Sequence, residues 1–442
     1  MPKINKYALQ QELKVKCSEI SYEGYGVYRD ENNFPIFISD LLPNEEAIIK
    51  ITNLYKNYAF GCIVKHLTFS YDRNSEFKWT PSAPLVTLKY PAQIKFKNNY
   101  FYNLLKRNLR NINLYEVYSQ FTQSLIQFEY RNKVSYKLSV QNNQLTINEI
   151  NQKSNEITDA NNLFLVKPII KETISNILDT IQTFLKNTSK LKNLKMFEKI
   201  TLRANSKNQI DVCLSIHSDY DLPNKLVKLL NEITQVISLS INKKHSVQVL
   251  FEKEQFKMQL NDKEFICSIQ SFFQVNDIVA SMMFTKIKEY VNSKNNIKTI
   301  LDAYCGVGTI GQIVANKNNY VYGSDIVSSA IKNANNNKFL NSVSGEYKTI
   351  SSDIYFTNNV SNLEDSILIL DPPRSGISKE FIDWIIEKQI KNIVYMSCDV
   401  KTLTRDLQLI LESNYYKITY IQGFDMFPNT PHIEALVFIE KK

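Results

Sequence analysis

After Lys263 the chain alternates short apolar runs with longer helical stretches. Five of these runs are predicted strands, at residues 299–303, 319–324, 366–370, 392–396 and 435–439. Strands separated by helices predict a doubly wound, Rossmann-like α/β sheet, because crossover helices cover both faces of such a sheet. Ligands of these sheets bind at the carboxyl ends of the strands, so we expect the chemistry of this chain to lie there.

The N-terminal stretch 12–67 predicts a small β-barrel of the OB type. Five short apolar runs follow one another, separated by turns that include a glycine-containing turn at 24–26. Tyr22, Tyr25 and Tyr28 would either stack on the bases of RNA or fill the barrel, and the sequence leaves both readings open.

A chain of 442 residues exceeds one ordinary hydrophobic core, so we expect several domains. The central part mixes α and β patterns, with predicted helices at 100–118 and 169–185, predicted strands at 129–138 and 145–150, and a polar surface loop at 151–162. The sequence therefore predicts a multidomain α/β protein with a β-barrel at 1–68, an α+β domain at 69–262 and a Rossmann-like domain at 263–442.

The overall charge and cysteine content limit the class of protein. Lysine and arginine outnumber aspartate and glutamate by 53 to 44, and the resulting charge of +9 weakly favours a nucleic-acid partner. Neither a membrane-spanning apolar run nor a signal peptide is apparent, so we expect a cytoplasmic protein with no membrane partner. Six scattered cysteines without a C-x-x-C pair predict neither a disulfide framework nor a local metal site.

A glycine-rich turn follows the predicted strand 299–303. Gly306 and Gly308 would let a ligand lie against bare backbone, but the spacing lacks the motifs that bind phosphates. Asp325 follows the next strand, where a carboxylate can accept both hydroxyls of a ribose. Either feature alone is as consistent with a structural turn, whereas the two together predict a cofactor that carries adenosine.

Two further motifs end strands of the same sheet. Asp371 and Arg374 flank two prolines, which fix the backbone and point both side chains rigidly, although the prolines could simply end a strand. Cys398 precedes a helix whose dipole should favour the thiolate, the alternative being a buried, inert cysteine. Glu434, before the last strand, adds a carboxylate to this thiol, unless it forms only a surface salt bridge.

Together these motifs resemble the TrmA/RumA-type RNA (uracil-5-)-methyltransferase family. The stretches that carry the resemblance are 271–276, 304–308, 371–374, 397–406 and 432–434. The residues at 22–26 and 42–43 resemble the TRAM domain found in the ribosomal-RNA branch of that family, whereas 130–133 resembles the family's central domain less closely.

The resemblance implies an S-adenosylmethionine-dependent enzyme that methylates carbon 5 of uridine in RNA, with 23S ribosomal RNA as the expected substrate. Cys398 would be the nucleophile that adds to carbon 6 of uracil, and Glu434 would be the base. The residues expected to hold the cofactor are Gln274, Tyr304, Gly306, Gly308, Asp325 and Asp371. No metal ligand is expected, the protein is expected to be a monomer, and the target base would be flipped out of its stack.

The chain departs from the family pattern in two places. Asp399 and Val400 stand where the family has Asn-Pro, and the added carboxylate could raise the pKa of the thiol. Residues 63–212 contain no cysteine, so we predict no iron–sulfur cluster, although many relatives carry one. Three alternatives remain open: uracil-5 methylation of transfer RNA, methylation of a base nitrogen without need of Cys398, and an inactive RNA-binding relative.

Overall fold

The computed structural model describes residues 7–150, 157–159, 163–244, 246–294, 296–360 and 363–442. The chain divides into two compact units. Unit 1 comprises Met1–Leu104 and Phe427–Ile433, and unit 2 comprises Leu105–Met426 and Glu434–Lys442. The three domain boundaries drawn from the sequence stay a prediction.

Unit 1 contains a six-stranded sheet in the order β1-β5-β6-β4-β3-β2. Its strands are β1 (Glu12–Lys16), β2 (Glu19–Ile20), β3 (Gly26–Arg29), β4 (Pro35–Ile38), β5 (Glu46–Leu54) and β6 (Ala59–His66). Alternate residues of β5, namely Ala47, Ile49 and Ile51, are fully buried, as expected for a strand with one face on a core. Tyr22 stacks on Tyr100 and Tyr25 meets Phe60 edge to face, so both rings pack within the unit, and stacking on RNA stays a prediction.

The short segment Phe427–Ile433 belongs to unit 1 because helix α1 (Tyr90–Asn108) holds it. The buried amide of Gln93 donates to Oδ1 of Asn429 at 2.9 Å and accepts from the main-chain N–H of Asn429 at 2.9 Å. Lys97, which is fully buried, donates from Nζ to the main-chain oxygen of Phe427 at 3.0 Å. The residues directly before Glu434 are thus fixed by side chains of α1.

The first part of unit 2 is a seven-stranded sheet in the order β13-β12-β11-β10-β7-β8-β9. Its strands are β7 (Lys133–Gln141), β8 (Gln144–Ile150), β9 (Ile157–Asp159), β10 (Phe197–Ala204), β11 (Ile210–Ile216), β12 (Val236–Lys243) and β13 (Ser246–Glu252). The helices of this part are α3 (Pro168–Asn187) and α4 (Asn224–Asn231), with a 3₁₀ helix at Leu191–Met196. The short α2 (Leu114–Val117) precedes them in the chain and packs instead against the last sheet of unit 2, where Tyr118 bridges to Ile421. Ile170, Ile174, Ile177 and Ile181 recur along α3 at helical spacing and join the core of this sheet.

The second part of unit 2 begins with a hairpin of β14 (Lys257–Leu260) and β15 (Lys263–Ile266). A seven-stranded sheet follows in the order β18-β17-β16-β19-β20-β22-β21. Its strands are β16 (Thr299–Ala303), β17 (Tyr320–Asp325), β18 (Gly345–Thr349), β19 (Ser366–Leu370), β20 (Asn392–Ser397), β21 (Tyr416–Phe424) and β22 (Glu434–Lys441). Its helices are α5 (Asp277–Ser293), α6 (Thr309–Val314), α7 (Ser328–Leu340), α8 (Ser352–Asn359), α9 (Lys379–Lys388) and α10 (Val400–Glu412).

The predicted Rossmann-like architecture is confirmed for this sheet. Strands β16 to β20 pair in parallel, and β22 pairs antiparallel with both β20 and β21, so β22 runs opposite to the other strands of this sheet. All five residues of β19 are buried, which is typical of a strand covered on both faces. The predicted strands 299–303 and 366–370 match β16 and β19 residue for residue.

The central region differs more from the prediction. The helix expected at 100–118 instead starts at Tyr90, ends at Asn108 and is followed by the short α2. Pro91 is tolerated in the first turn of α1, and the side chain of Asn113 caps α2 by accepting from the N–H of Tyr115 at 3.3 Å. Of the loop expected at 151–162, residues 151–156 and 160–162 lie outside the described residues, and Ile157–Asp159 forms β9.

All six cysteines are free, and four of them are buried. Among the residues that the structure describes, no cluster of three or more His, Cys, Asp or Glu side chains could hold a metal ion. The same described ranges contain no helix that is long and apolar enough to cross a membrane.

Candidate active site

The carboxyl ends of the parallel strands bring most of the predicted residues to one edge of the sheet. Ser397 of β20 pairs with Ala435 of β22. Cys398 follows Ser397 and Glu434 precedes Ala435, so both lie at the same end of this antiparallel strand pair. Leu370 pairs with Tyr395, which places Asp371 at the neighbouring strand end. The topology therefore collects the thiol and two carboxyls at adjacent positions, although they are distant in sequence.

The turn between β16 and α6 has three residues in the left-handed region, Tyr304 at φ 60°, Gly306 at φ 55° and Gly308 at φ 80°. The main-chain N–H of Tyr304 donates to Oγ of Ser352 at 3.0 Å, which fixes this strained position. A Cβ on Gly306 would meet nothing within 4 Å, whereas a Cβ on Gly308 would come within 2.5 Å of Nε2 of Gln312. Gly306 thus faces open space, and Gly308 is required for packing.

The carboxylate of Asp325 lies beside this turn at the end of β17. Its Oδ2 accepts from the N–H of Gly306 at 3.0 Å, and its Oδ1 accepts from the N–H of Val327 at 2.8 Å. Each oxygen keeps a lone pair for a ligand hydroxyl. The next residue, Ile326, exposes 74% of its surface and offers an apolar contact for a base. The open space at Gly306 together with these two side chains fits an adenosine group.

Asp302 lies behind the same turn and was not singled out from the sequence. It is fully buried in β16, and its Oδ2 accepts from the N–H of Gly311 at 3.0 Å. Burial, assisted by the nearby carboxylates of Asp371 and Asp325, raises the pKa of this carboxyl to about 7. Its signal in the sequence was a lone acid inside an otherwise apolar strand, which is rare unless the acid has a partner.

Gln274 lies in the irregular segment between β15 and α5 and exposes only 6% of its surface. Its main-chain oxygen accepts from Nδ2 of Asn132 at 2.9 Å. The fully buried Asn337 of α7 donates to the main-chain oxygens of Ile266 at 3.1 Å and Val307 at 3.0 Å. The amide of Asn337 therefore connects the end of the hairpin that precedes Gln274 with the glycine turn. Asn132 belongs to the motif 130–133 noted in the sequence, whereas Asn337 was not identified there.

Cys398 is half-buried at the end of β20. Burial, together with the carboxylates of Glu434 and Asp371, raises the pKa of its thiol to about 12, although the Arg374 guanidinium acts in the opposite direction. The prediction that the following helix favours the thiolate is therefore wrong for the protein without substrate. Burial and two nearby carboxylates outweigh the partial positive charge of a helix end.

Asp399, directly after Cys398, stands at the N-terminus of α10. Its carboxylate caps α10, accepting from the N–H of Lys401 at 2.9 Å and the N–H of Thr402 at 3.1 Å. Two of the free N–H groups that make a helix N-terminus positive are thereby engaged. Asp399 acts as an N-cap, and the carboxylates that raise the pKa of Cys398 are those of Glu434 and Asp371.

The two carboxyls beside the thiol both hold protons more tightly than in water. Glu434 exposes only 2% of its surface, so it is not part of a surface salt bridge. Burial raises its pKa well above the ordinary value; the Asp371 carboxylate adds to this and Arg374 opposes it. Burial raises the pKa of Asp371 to about 7. When ionised, such carboxylates are stronger bases than exposed ones, which suits proton removal from carbon.

The loop that carries Arg374 is held by a buried acid in α10. Asp406 is fully buried, and its Oδ2 accepts from the N–H of Ile377 at 3.0 Å and the hydroxyl of Tyr395 at 2.6 Å. Arg405 donates to the other oxygen of Asp406 at 2.8 Å and to the main-chain oxygen of Ser375 at 2.9 Å. The Arg-Asp pair after Cys398 thus fixes the loop after Asp371, a role that was not predicted.

Comparison with known proteins identifies both parts of the chain. Residues 89–442 match the family model described as tRNA (Uracil-5-)-methyltransferase, and residues 9–64 match that of the TRAM domain. An uncharacterized RNA methyltransferase of Fusobacterium nucleatum is 31% identical over 97% of this chain and 96% of its own. One of Enterococcus faecalis is 29% identical over 97% of each chain.

A solved structure matches along nearly the whole chain. The Pyrococcus abyssi tRNA (uracil-54, C5)-methyltransferase in complex with S-adenosyl-L-homocysteine superimposes with a TM-score of 0.75 and 23% identity. The match covers 97% of this chain and 100% of that one. The predicted fold, a TRAM domain followed by a methyltransferase fold, is confirmed, and so is the family resemblance.

Proposed function

Because the chain belongs to the tRNA (Uracil-5-)-methyltransferase family, we propose that it methylates carbon 5 of a uridine with Cys398 as nucleophile and Glu434 as base. The protein is an S-adenosylmethionine-dependent methyltransferase that acts on RNA. The observation that carries the proposal is that Cys398, Glu434 and Asp371 lie at adjacent strand ends on one edge of the sheet, where Arg374 and both carboxylates act on the pKa of the thiol.

Bound S-adenosylmethionine supplies a methyl group carried on a sulfonium. The residues that would hold it are Gln274, Tyr304, Gly306, Gly308, Asp325 and Asp371. The open face of Gly306 and the carboxylate of Asp325 support this assignment, because they offer bare backbone and acceptors for ribose hydroxyls.

The thiol step overcomes the weak nucleophilicity of carbon 5. Cys398 loses its proton and its Sγ bonds to carbon 6, which moves the electrons of the 5,6 double bond towards carbon 5 and oxygen 4. The thiol proton passes to solvent. Carbon 5 then takes the methyl group as the bond between that methyl and the donor sulfur breaks, and S-adenosylhomocysteine is the leaving group. Because burial and nearby carboxylates raise the pKa of the thiol, the lowering effect of Arg374 assists ionisation, and substrate binding must provide the remaining stabilisation of the thiolate.

Glu434 completes the reaction by removing the proton from carbon 5. The electrons of that C–H bond re-form the 5,6 double bond, and the bond from Sγ to carbon 6 breaks to release Cys398. The burial that raises the pKa of Glu434 suits a group that must accept a proton from carbon. A neighbouring loop, fixed through Asp406, keeps Arg374 in place during these steps.

The proposed substrate is large-subunit ribosomal RNA, which we infer from the TRAM domain by resemblance to the ribosomal-RNA branch of the family. Transfer RNA is the second candidate. The Pyrococcus abyssi enzyme, whose substrate is tRNA uracil 54, has the same fold over 97% of this chain. A cytoplasmic location and a monomeric state stay predictions.

The test is methylation of unmodified transcripts of 23S ribosomal RNA and of transfer RNA with labelled S-adenosylmethionine, followed by digestion to nucleosides. Cys398→Ala is assayed in parallel, with Cys213→Ala as the matched control because Cys213 is a buried thiol on the central sheet. We expect labelled 5-methyluridine from the wild type and the control, and none from Cys398→Ala.

Four outcomes would contradict the proposal, each in a different part. Label in another nucleoside would exclude uracil-5 chemistry, and full activity of Cys398→Ala would exclude the thiol as nucleophile. Absence of label on both RNAs, with intact binding of S-adenosylhomocysteine, would favour an RNA-binding relative without turnover. Label on transfer RNA alone would correct only the substrate.

A further inference from the structure

The motif at 130–133 has no role in the reaction described above, although one of its residues bonds the main chain at Gln274. Asn132 is fully buried directly before β7. Its main-chain N–H donates to the oxygen of Val275 at 3.0 Å, and its Nδ2 donates to the main-chain oxygen of Gln274 at 2.9 Å. The same Nδ2 donates to a carboxylate oxygen of Asp277. A single residue therefore bonds three of four consecutive positions, 274, 275 and 277.

Basic side chains around Asn132 donate hydrogen bonds to further positions of the same segment, both before and after Gln274. Lys133 donates from Nζ to the main-chain oxygen of Ser271 at 3.2 Å. Arg203, its cross-strand partner on β10, is fully buried and donates to the main-chain oxygens of Ser268 at 3.0 Å and Ser271 at 2.5 Å. Lys167 donates to the second oxygen of Asp277 at 2.8 Å.

The segment 267–276 depends on these bonds because it forms neither helix nor strand, and about half of its residues are buried, Gln274 among them. Ser271 and Phe273 expose 2% of their surface and Asn276 exposes 1%. Buried main-chain carbonyls need hydrogen-bond partners, and here side chains at the ends of β7 and β10 provide them. The position of Gln274 is thus set by a rigid sheet and not by the irregular segment that contains it.

We propose that Asn132 is a positioning residue of the cofactor site, which holds Gln274 for contact with S-adenosylmethionine. This inference rests on the proposed assignment of Gln274 to the cofactor. It gives the central sheet a part in methyl-donor binding, because the ends of β7 and β10 hold the segment that carries Gln274. Asn132 itself touches no reacting atom and acts through the main chain of Gln274.

The test is the affinity of the full-length protein for S-adenosylhomocysteine, measured by calorimetry for Asn132→Ala, Gln274→Ala and the double variant. Asn148→Ala is the matched control, since Asn148 is 3% exposed, lies on β8 of the same sheet and donates to Oγ of Ser139 at 2.7 Å. We expect Asn132→Ala to weaken binding roughly tenfold and Asn148→Ala less than about twofold. The double variant should bind no more weakly than Gln274→Ala, because residues that act through one another are not additive.

Steady-state kinetics provide a readout that a merely structural role would not move. Asn132→Ala should raise the KM for S-adenosylmethionine roughly tenfold and leave the KM for RNA within about twofold of the wild type. Asn148→Ala, which also loses a buried hydrogen bond, should leave both KM values unchanged. Equal effects of the two variants would show that Asn132 only stabilises the fold, which would overturn the proposal.

Lys133→Met provides a second variant if Asn132→Ala does not fold, since it removes only the bond to Ser271. It should weaken S-adenosylhomocysteine binding in the same direction by about threefold. Binding within the error of the wild type would overturn the proposal. If Gln274→Ala weakens binding and Asn132→Ala does not, the positioning role of Asn132 is wrong while the assignment of Gln274 to the cofactor stands. If Gln274→Ala binds like the wild type, the assignment of Gln274 is wrong and the proposal fails with it.

Discussion

The two halves of the strand edge are built by different means. The cofactor half, defined as the turn at Tyr304, Gly306 and Gly308 with Asp325, uses main-chain groups and an open backbone surface. The thiol half, defined as Asp371, Arg374, Cys398 and Glu434, uses charged or ionisable side chains. In the first half the single acid is bonded by two N–H groups, whereas in the second half burial raises the pKa of both acids.

Burial of Asp371 in the thiol half predicts how its contribution to stability changes with pH. The folded state holds the proton of Asp371 up to a pKa of about 7, well above the ordinary value of about 3.9 for an aspartate. The folded protein therefore binds more protons than the unfolded chain between these values, and the contribution of Asp371 to stability falls as pH rises through this window.

The largest expected effect is that of Glu434→Gln in the thiol half. Without a base, turnover should fall on the order of 10² to 10⁴-fold while the protein–RNA adduct accumulates and becomes visible on a denaturing gel. Glu440→Gln is the matched control, because Glu440 lies on the same strand and pairs with Lys294 at 2.6 Å. Normal turnover by Glu434→Gln would assign the base to another group and break the comparison.

A smaller effect is expected from Asp325→Ala in the cofactor half. Loss of the ribose acceptors should weaken S-adenosylhomocysteine binding roughly tenfold to a hundredfold, and leave the alkylation rate of Cys398 unchanged. Calorimetry and mass spectrometry measure the two quantities, with Asp365→Ala as control because Asp365 pairs with Lys298 outside the turn. An altered alkylation rate would show that the halves are coupled.

The next effect concerns the thiol itself. Because the carboxylate of Glu434 raises and Arg374 lowers the pKa of Cys398, Glu434→Gln should move the alkylation profile to lower pH and Arg374→Gln to higher pH. At a pH below the pKa, a tenfold change in the acid dissociation constant of the thiol changes the thiolate fraction about tenfold. Iodoacetamide labelling located by mass spectrometry measures this, with the exposed Cys62 as internal reference. Movement of both profiles in the same direction would contradict the assigned charges.

The smallest effect is that of Asp399→Asn, which restores the residue typical of the family. Asparagine and aspartate cap helices equally well, so stability in urea and turnover should stay within about twofold of the wild type. Asp399→Ala should instead lower the free energy of unfolding by about 1 kcal/mol. A large gain in activity from Asp399→Asn would mean that this carboxylate opposes the thiol after all.

The halves also differ in how far the sequence predicted them. Apolar runs before Gly306, Asp325, Asp371 and Cys398 located the strand ends, because buried parallel strands need continuous apolar segments. Ligands of such a sheet bind at the carboxyl ends of its strands, so these residues were expected at one edge. The direction of the thiol pKa was not predictable in this way. It depends on burial and on Glu434, whose position opposite Cys398 appears only once β20 and β22 are paired.

Residues that act inside the fold were missed for a related reason. Asn337 and Asp406 bond main-chain groups 30 and 29 residues away in sequence, so their roles are invisible without the structure. Asp302 bonds Gly311, nine residues away, and only its position as a lone acid in an apolar strand marked it. The central sheet was only partly predicted because β7 pairs with β10, and the whole helix α3 lies between these two strands in the sequence. Non-local pairing of this kind leaves alternating patterns in single strands but no sign of their partners.

The return of the chain to unit 1 just before Glu434 has an evolutionary consequence. Gln93 and Asn429 exchange two hydrogen bonds although they stand near opposite ends of the polypeptide. A recombination event that replaces residues 1–104 would therefore separate Asn429 from the amide that matches it. Substitutions at these two positions should arise together among relatives. The N-terminal module should be inherited together with the C-terminal segment and should not be exchanged on its own.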